Sequence, residues 1–246
     1  MRAHHFSGSK TDLAFLCQFW MRPDVEHLPR PMGLPALRGV NVHRASDRYH
    51  NGISTDDGLN DEEKALWSSL AIWLAKERPF THSELPLLYD AENDTATLCA
   101  IGTEGERDYL GVTAMRVPVR LDLLRFDDDR GELWIVDIKT GAKANSSPAP
   151  ENDQLATQAV AASRYFGVDM AKVGLVFPMK TKVHEPAWHT LDADALDVHA
   201  GKLHRALKVV PQSEPTRGSW CWRCPIGPAK GTLSTCPAWA EAAAAE

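Results

Sequence analysis

Hydrophobic positions change their period several times along the chain, and the changes mark out its elements. Two runs, Arg116 to Phe126 (RVPVRLDLLRF) and Glu132 to Ile138 (ELWIVDI), are rich in Val, Leu, Ile and Trp and flank the polar stretch Asp127 to Gly131. This pattern predicts a hairpin with a polar turn. Helical patterns cover 11–20, 38–50, 61–76, 151–166 and 193–208, and strand-like runs cover 83–89, 95–101, 171–178 and 183–190. A Pro-rich loop at 23–35, a cysteine-bearing tail and a final AEAAAAE helix complete the order. Helices before and after a mixed sheet indicate an α/β or α+β fold. No internal repeat or low-complexity linker divides the chain, so a single domain over 1–246 is expected, with its core at about 38–210.

The hairpin carries the most specific chemistry. The midpoint between positions 122 and 137 falls at the centre of the turn, so an antiparallel pairing sets Asp122 almost opposite Asp137, with Cβ atoms about 4.5–5.5 Å apart. Lys139, two residues beyond Asp137, shares its face. Facing carboxylates inside apolar strands repel unless a cation neutralises them, so a bound metal is the natural expectation. Oxygen ligands suit Mg²⁺ or Mn²⁺, which lower the pKa of a bound water, while a neighbouring lysine can stabilise charge developing on a phosphate. An ordinary hairpin with an Asp137–Lys139 salt bridge would show the same triplet, so residues elsewhere must decide.

Upstream, LRGVNVHRASDRY (37–49) places Gly39 four residues before His43 at the front of a predicted helix. Downstream, NDQLATQAVAASRYFG (152–167) opens a helical pattern with Gln154 in its first turn. G-x-x-x-H, an Asp on a strand, D-I-K-T-G and a helix opening with Gln together resemble the RecB-like branch of the PD-(D/E)XK nucleases over nearly the whole chain. The resemblance implies a restriction-endonuclease-like central sheet flanked by helices. It implies His43, Asp122 and Asp137 as Mg²⁺ or Mn²⁺ ligands with the backbone carbonyl of Ile138, Lys139 as the catalytic lysine and Gln154 as a supporting group. Glu84, in SELPLLYD, matches an acidic position that the family often shows before the hairpin. The family usually has a tyrosine four residues after the glutamine, whereas this chain has Gln158.

Three of the five cysteines form C-x2-C-x11-C near the C-terminus (Cys221, Cys224, Cys236), and Cys17 lies near the N-terminus. Four such thiolates can hold zinc or an iron–sulfur cluster. One N-terminal cysteine with a C-terminal trio resembles the iron–sulfur members of the family, the AddB nuclease domain and the CRISPR-associated and phage RecB-like exonucleases. A [4Fe–4S] cluster, with zinc as the alternative, would join segments 11–20 and 216–240. Cys99, in TATLCAIG, reads as a small core residue.

A chain of 246 residues with 43% hydrophobic and 24% charged positions can bury one sizeable core. No apolar run approaches a membrane span and the N-terminus lacks a signal-peptide core, so no membrane partner and a reducing cytoplasm, the host's if phage-encoded, are expected. The net charge of −6 opposes nucleic-acid binding, but acidic residues gather in 54–108. Basic ones dominate 200–232 and surround His43 and the hairpin, and a locally basic groove can track phosphates. Arg44, Arg120, Arg217 and Arg223 are candidate DNA contacts, and Trp222 a candidate for base stacking. The expected activity is a metal-dependent deoxyribonuclease, exonucleolytic on single-stranded DNA ends. It would act in recombination or repair, phage DNA metabolism or CRISPR adaptation, with recombination or adaptation proteins as partners. The alternative is a non-catalytic iron–sulfur accessory protein that binds DNA through the same fold.

Overall fold

The computed structural model describes residues 15–17, 21, 34–55, 58–101, 107–108, 115–141, 147–210, 213–215 and 236. Its central sheet has the order β2-β1-β5-β6-β7-β8, with β9 also on β7. The strands are β1 (His82–Asp90), β2 (Thr95–Leu98), β5 (Arg116–Asp127), β6 (Glu132–Ile138), β7 (Ala171–Pro178), β8 (Val183–His184) and β9 (His189–Leu191). A separate two-stranded ladder pairs β3 (Ala100–Ile101) with β4 (Arg107–Asp108). Among the described strands only β6 and β7 run parallel, because helix α3 (Asp153–Phe166) makes the crossover between them. Among the described residues α1 (Leu34–His50) and α2 (Asp61–Leu74) precede the sheet and α4 (Ala193–Lys208) follows it.

Local signals explain where the helices start and stop. Asn60 and Glu63 form a reciprocal capping box at the start of α2. Glu63 then spends its other oxygen on Asn41 of α1, 2.8 Å away, which ties the two helices together. Asn152 caps α3 by accepting from the Leu155 N–H, and Gly167 ends it at φ 69°, a left-handed position that favours glycine. Asp192 caps α4 through the Ala195 N–H.

Each face of the sheet is covered. Val117, Val119, Leu121, Leu133 and Ile135 pack with α3 and α4. Leu123, Val136, Ile138 and Val176 pack with Val42 of α1 and Leu66, Trp67 and Leu70 of α2. The hairpin turns through Gly131 at φ 60°. The run expected as one strand over 183–190 is instead two short strands on β7, since Pro186 has no N–H to give a ladder. There the chain crosses Gly174 so closely that an added Cβ would sit 2.5 Å from Pro186 Cβ. The strand expected over 95–101 breaks at the buried Cys99, beyond which β3 turns to β4 instead of β1. Of the helix expected over 11–20, only residues 15–17 are described. Among the described residues no helix is long and apolar enough to cross a membrane.

Candidate functional site

The site lies at a fork in the sheet. β5 pairs with β6 only as far as Leu123 opposite Val136, whereas β6 continues along β7 to Ile138 opposite Val176. Beyond the fork β5 keeps β1 alone, and Pro118, which cannot donate to a ladder, falls in that stretch. Side chains satisfy the backbone groups that the ladder abandons. Asp122 Oδ2 accepts the Ile138 N–H at 2.7 Å, and the Arg120 carbonyl accepts from Gln158 Nε2 at 2.9 Å.

The alternation of faces slips at the same place. Leu121 faces α3 and α4, yet Leu123 faces α1 and α2 and Leu124 the α3 side again. Across from Asp122, between the pairs Ser83–Leu123 and Leu85–Leu121, stands Glu84 at φ 52°. A non-glycine residue in that region is strained by about 1–3 kcal/mol, and such strain concentrates at functional sites. Here it frees Glu84 and Asp122 from the regular pleat, so both reach the same imidazole.

That imidazole is His43 of α1. Nδ1 lies 3.3 Å from Glu84 Oε1 and 3.3 Å from Asp122 Oδ1, and Nε2 donates to the Ile138 carbonyl at 2.9 Å. Gly39, one helical turn earlier, permits this approach: a Cβ there would lie 3.2 Å from Thr140 Oγ1, just past the D-I-K triplet. The G-x-x-x-H spacing thus puts the small residue and the histidine on the one face of α1 that meets the end of β6.

The charges are strongly coupled. Burial works to lower the His43 pKa, but Asp122 and Glu84 outweigh it and raise the ring to about 10. Burial likewise opposes ionisation of Asp122, but His43, the Ile138 N–H and Arg120 hold its carboxyl below the usual range. Glu84 is also held low despite burial, by His43 and by Arg120, whose Nε lies 3.1 Å from Glu84 Oε2. Asp137 moves the other way, pushed up by burial and then by the charge on Asp122. An imidazolium therefore supplies positive charge between the two carboxylates that converge on it.

Asp137 and Lys139 share a face that meets the start of α3. Lys139 Nζ lies 2.7 Å from Asp137 Oδ2 and donates to Gln154 Oε1 at 2.8 Å, while Gln154 Nε2 donates to Asp137 Oδ1. Lys139 thus closes an ion pair on Oδ2 while Gln154 holds Oδ1.

This donor set fits a hard divalent cation. Among the described residues, the group whose ligand atoms converge is His43, Glu84 and Asp122, all within 4.8 Å of one another. The Ile138 carbonyl stands beside them, and two carboxylates, a carbonyl and an imidazole are donors that Mg²⁺ and especially Mn²⁺ accept. Asp137 stands outside that converging group, with Oδ1 turned to the glutamines and Oδ2 to Lys139. Glu84, by contrast, sits at its centre, and the signal was local: an acidic residue inside an otherwise apolar strand. Of the candidate DNA contacts, Arg44 is exposed on α1 next to His43, and the Arg120 side chain is 44% exposed at the rim. Arg217, Trp222, Arg223, Cys221 and Cys224 lie outside the described residues. Cys17 and Cys236, from opposite ends of the chain, are both buried in the core cluster beneath α3 and α4.

No curated protein sequence matches the chain. A solved structure, "Crystal structure of SSO0001", aligns with 90% of this chain and 98% of its own at 13% identity and a TM-score of 0.36, a likeness too slight to bear on the site. The family model described as the PD-(D/E)XK nuclease superfamily matches residues 11–229. A sheet fork that gathers Asp122, Asp137 and Lys139, within a match over nearly the whole sequence, places this chain in the PD-(D/E)XK nuclease superfamily, whose members are metal-dependent nucleases.

Proposed function

We propose that the chain is a RecB-like exonuclease that hydrolyses phosphodiesters at single-stranded DNA ends with Mg²⁺ or Mn²⁺. The observation that carries this reading is the convergence of His43, Glu84 and Asp122, with the Ile138 carbonyl on the other nitrogen of the same ring and the Asp137–Lys139–Gln154 cluster following on the same strand. His43, Glu84 and Asp122 would hold the cation, and Asp137 and the Ile138 carbonyl, ligands that the RecB-like resemblance implies, would complete its shell. When bound, the metal supplies a water of lowered pKa and Lewis-acid pull on the phosphate.

The chain's own groups do the rest. Lys139, held by Gln154, places an ammonium where negative charge develops on the phosphate oxygens. His43 must give up a proton to become a ligand, so metal uptake and proton release are linked. Arg44, next to His43, and Arg120, paired with Glu84, are exposed beside the site and offer charge to the DNA backbone.

For the ends of the chain the reading includes a [4Fe–4S] cluster, with zinc as the alternative, on Cys17, Cys221, Cys224 and Cys236. What supports it is that Cys17 and Cys236 are buried against the same core, so one metal could tie the first helix to the tail. Trimming of ends suits recombination or repair, phage DNA metabolism or CRISPR adaptation, in which recombination or adaptation proteins would be its partners.

The test is nucleotide release from end-labelled single-stranded and duplex DNA with Mg²⁺ or Mn²⁺, using anaerobically purified wild type beside Asp137→Ala. Metal-dependent digestion lost in the variant is the expected result, and the labelled products give the polarity. A folded, metal-loaded wild type that binds DNA and digests none of it would replace this reading with an accessory DNA-binding role. Iron and sulfide analysis of the same preparation decides between cluster and zinc.

A further inference from the structure

Gln158 stands one helical turn beyond Gln154 on α3, is 1% exposed, and touches both arms of the fork. Its Nε2 donates to the Arg120 carbonyl on β5 at 2.9 Å and to Asp137 Oδ1 on β6 at 3.3 Å. Both partners are acceptors, so the amide has one workable orientation, and reversing it would set Oε1 against two oxygens. Oε1 itself is buried and accepts no hydrogen bond. The unpaired Oε1 offsets part of what Nε2 gains by satisfying the Arg120 carbonyl, so the contribution to stability is divided. What the side chain fixes is geometry.

Gln154 and Gln158 both direct an amide N–H at Asp137 Oδ1, while Oδ2 faces Lys139 Nζ at 2.7 Å. The same Nε2 fastens the Arg120 carbonyl, two residues before Asp122, so it holds the Asp122 arm at a set distance from Asp137 where no ladder does. We propose that Gln158 is a positioning residue for the metal centre: it spaces the two arms of the fork and selects Oδ2 as the Asp137 oxygen presented to the divalent cation. The proposal rests on the metal-dependent reading given above and assigns a role to the position at which the chain departs from the tyrosine of the RecB-like pattern.

Removing a partner that orients a metal-binding carboxylate typically weakens metal affinity or activity by about 10–100-fold. The experiment is direct titration of Mn²⁺, followed by the electron paramagnetic resonance signal of the free ion, on wild type, Gln158→Met and Thr157→Val. Thr157 is the adjacent fully buried position on α3, so its variant serves as the packing control. Gln158→Met should raise the Mn²⁺ Kd by about tenfold or more and lower kcat at subsaturating metal. Its KM for DNA and its metal-free DNA affinity should match wild type. Thr157→Val should lower Tm with the Mn²⁺ Kd unmoved. If Gln158→Met does not fold, Gln158→Asn, which keeps the amide but draws it back by one methylene, takes its place with the same expected direction. An unchanged Mn²⁺ Kd in the folded variant, with an active wild type, overturns the role of Gln158 and leaves the nuclease reading standing. A wild type that neither binds Mn²⁺ nor digests DNA overturns both.

Discussion

Two histidines sit beside carboxylates on opposite faces of the sheet: His43 on α1, 3.3 Å from both Glu84 and Asp122, and His199 on α4, 3.9 Å from Asp153. Their titrations diverge. Burial lowers His199 to about 4, and the pull of Asp153 is too weak to offset it because Lys202 already neutralises that carboxylate from 2.8 Å. Its Nε2 meets the Thr157 hydroxyl at 2.9 Å, so the neutral ring is a satisfied link between α3 and α4. Around His43 the carboxylates outweigh burial and raise the ring to about 10. A histidine next to an aspartate is thus not in itself a site. What distinguishes the fork is that two buried carboxylates, Glu84 and Asp122, converge on one ring whose positive charge balances them, and a divalent ion would take over that charge when His43 gives up its proton.

The largest effect expected from this comparison is on turnover. Lys139→Ala should lower kcat by about 10²–10³-fold, the range for losing one group that stabilises transition-state charge. Metal-free DNA binding should persist and Tm should stay near wild type, because the lysine is partly exposed at the rim. A variant that loses stability and activity in proportion would place Lys139 in the structure rather than in the chemistry. Next comes metal affinity. His43→Ala should raise the Mn²⁺ Kd by about 100-fold, whereas His199→Ala should leave it unchanged while lowering Tm. Calorimetric titration of both variants would break the comparison if they behaved alike.

Opposite slopes of stability against pH are the third consequence. His199 has a folded pKa of about 4, below its unfolded value, so its contribution is present above pH 6.5 and is lost as pH falls toward 4. The full loss is about 3 kcal/mol. His43 has a folded pKa of about 10, above its unfolded value, so in the metal-free protein its contribution is complete below pH 6.5 and is lost as pH rises through 10. Urea unfolding across pH 4–10 should show a low-pH limb that His199→Gln flattens and a high-pH limb that His43→Ala flattens. Saturating Mn²⁺ should also diminish the high-pH limb, since the ion then supplies the positive charge that the imidazolium gave.

Much of this was legible in the residues, for reasons that can be named. The hairpin and the crossover helix followed from period and turn residues, and the shared face of Asp137 and Lys139 followed from a spacing of two. The G-x-x-x-H and D-I-K spacings each lie within a single element, so local periodicity places their residues. Glu84 was legible as an acid in an apolar strand and as a position that the family resemblance marks. Its approach to His43 depends on φ 52° and on a slip in alternation shared by two strands, neither of which a one-strand pattern contains. Gln158 was harder still, because its partners are a carbonyl and a carboxylate on two other elements. The broken run at 183–190 was written in Pro186, but its cause, the passage over Gly174, is a long-range contact.

The smallest effect separates two arginines as the first comparison separated two histidines. Arg120 has its guanidinium engaged by Glu84 at 3.1 Å, so Arg120→Ala should disturb a metal ligand and the DNA contact together, changing the Mn²⁺ Kd as well as KM. Arg44 is exposed on α1, the residue after His43. Arg44→Ala should therefore weaken DNA binding alone. The dependence of log K on log salt concentration should become shallower by about one, as expected for a single lost phosphate contact, with kcat and the Mn²⁺ Kd unmoved. Salt titrations of the metal-free variants measure this directly. An Arg44 variant with the wild-type slope would place the DNA path on another rim of the cleft, whereas a shifted Mn²⁺ Kd would mean that Arg44 acts through His43 and not on the phosphate.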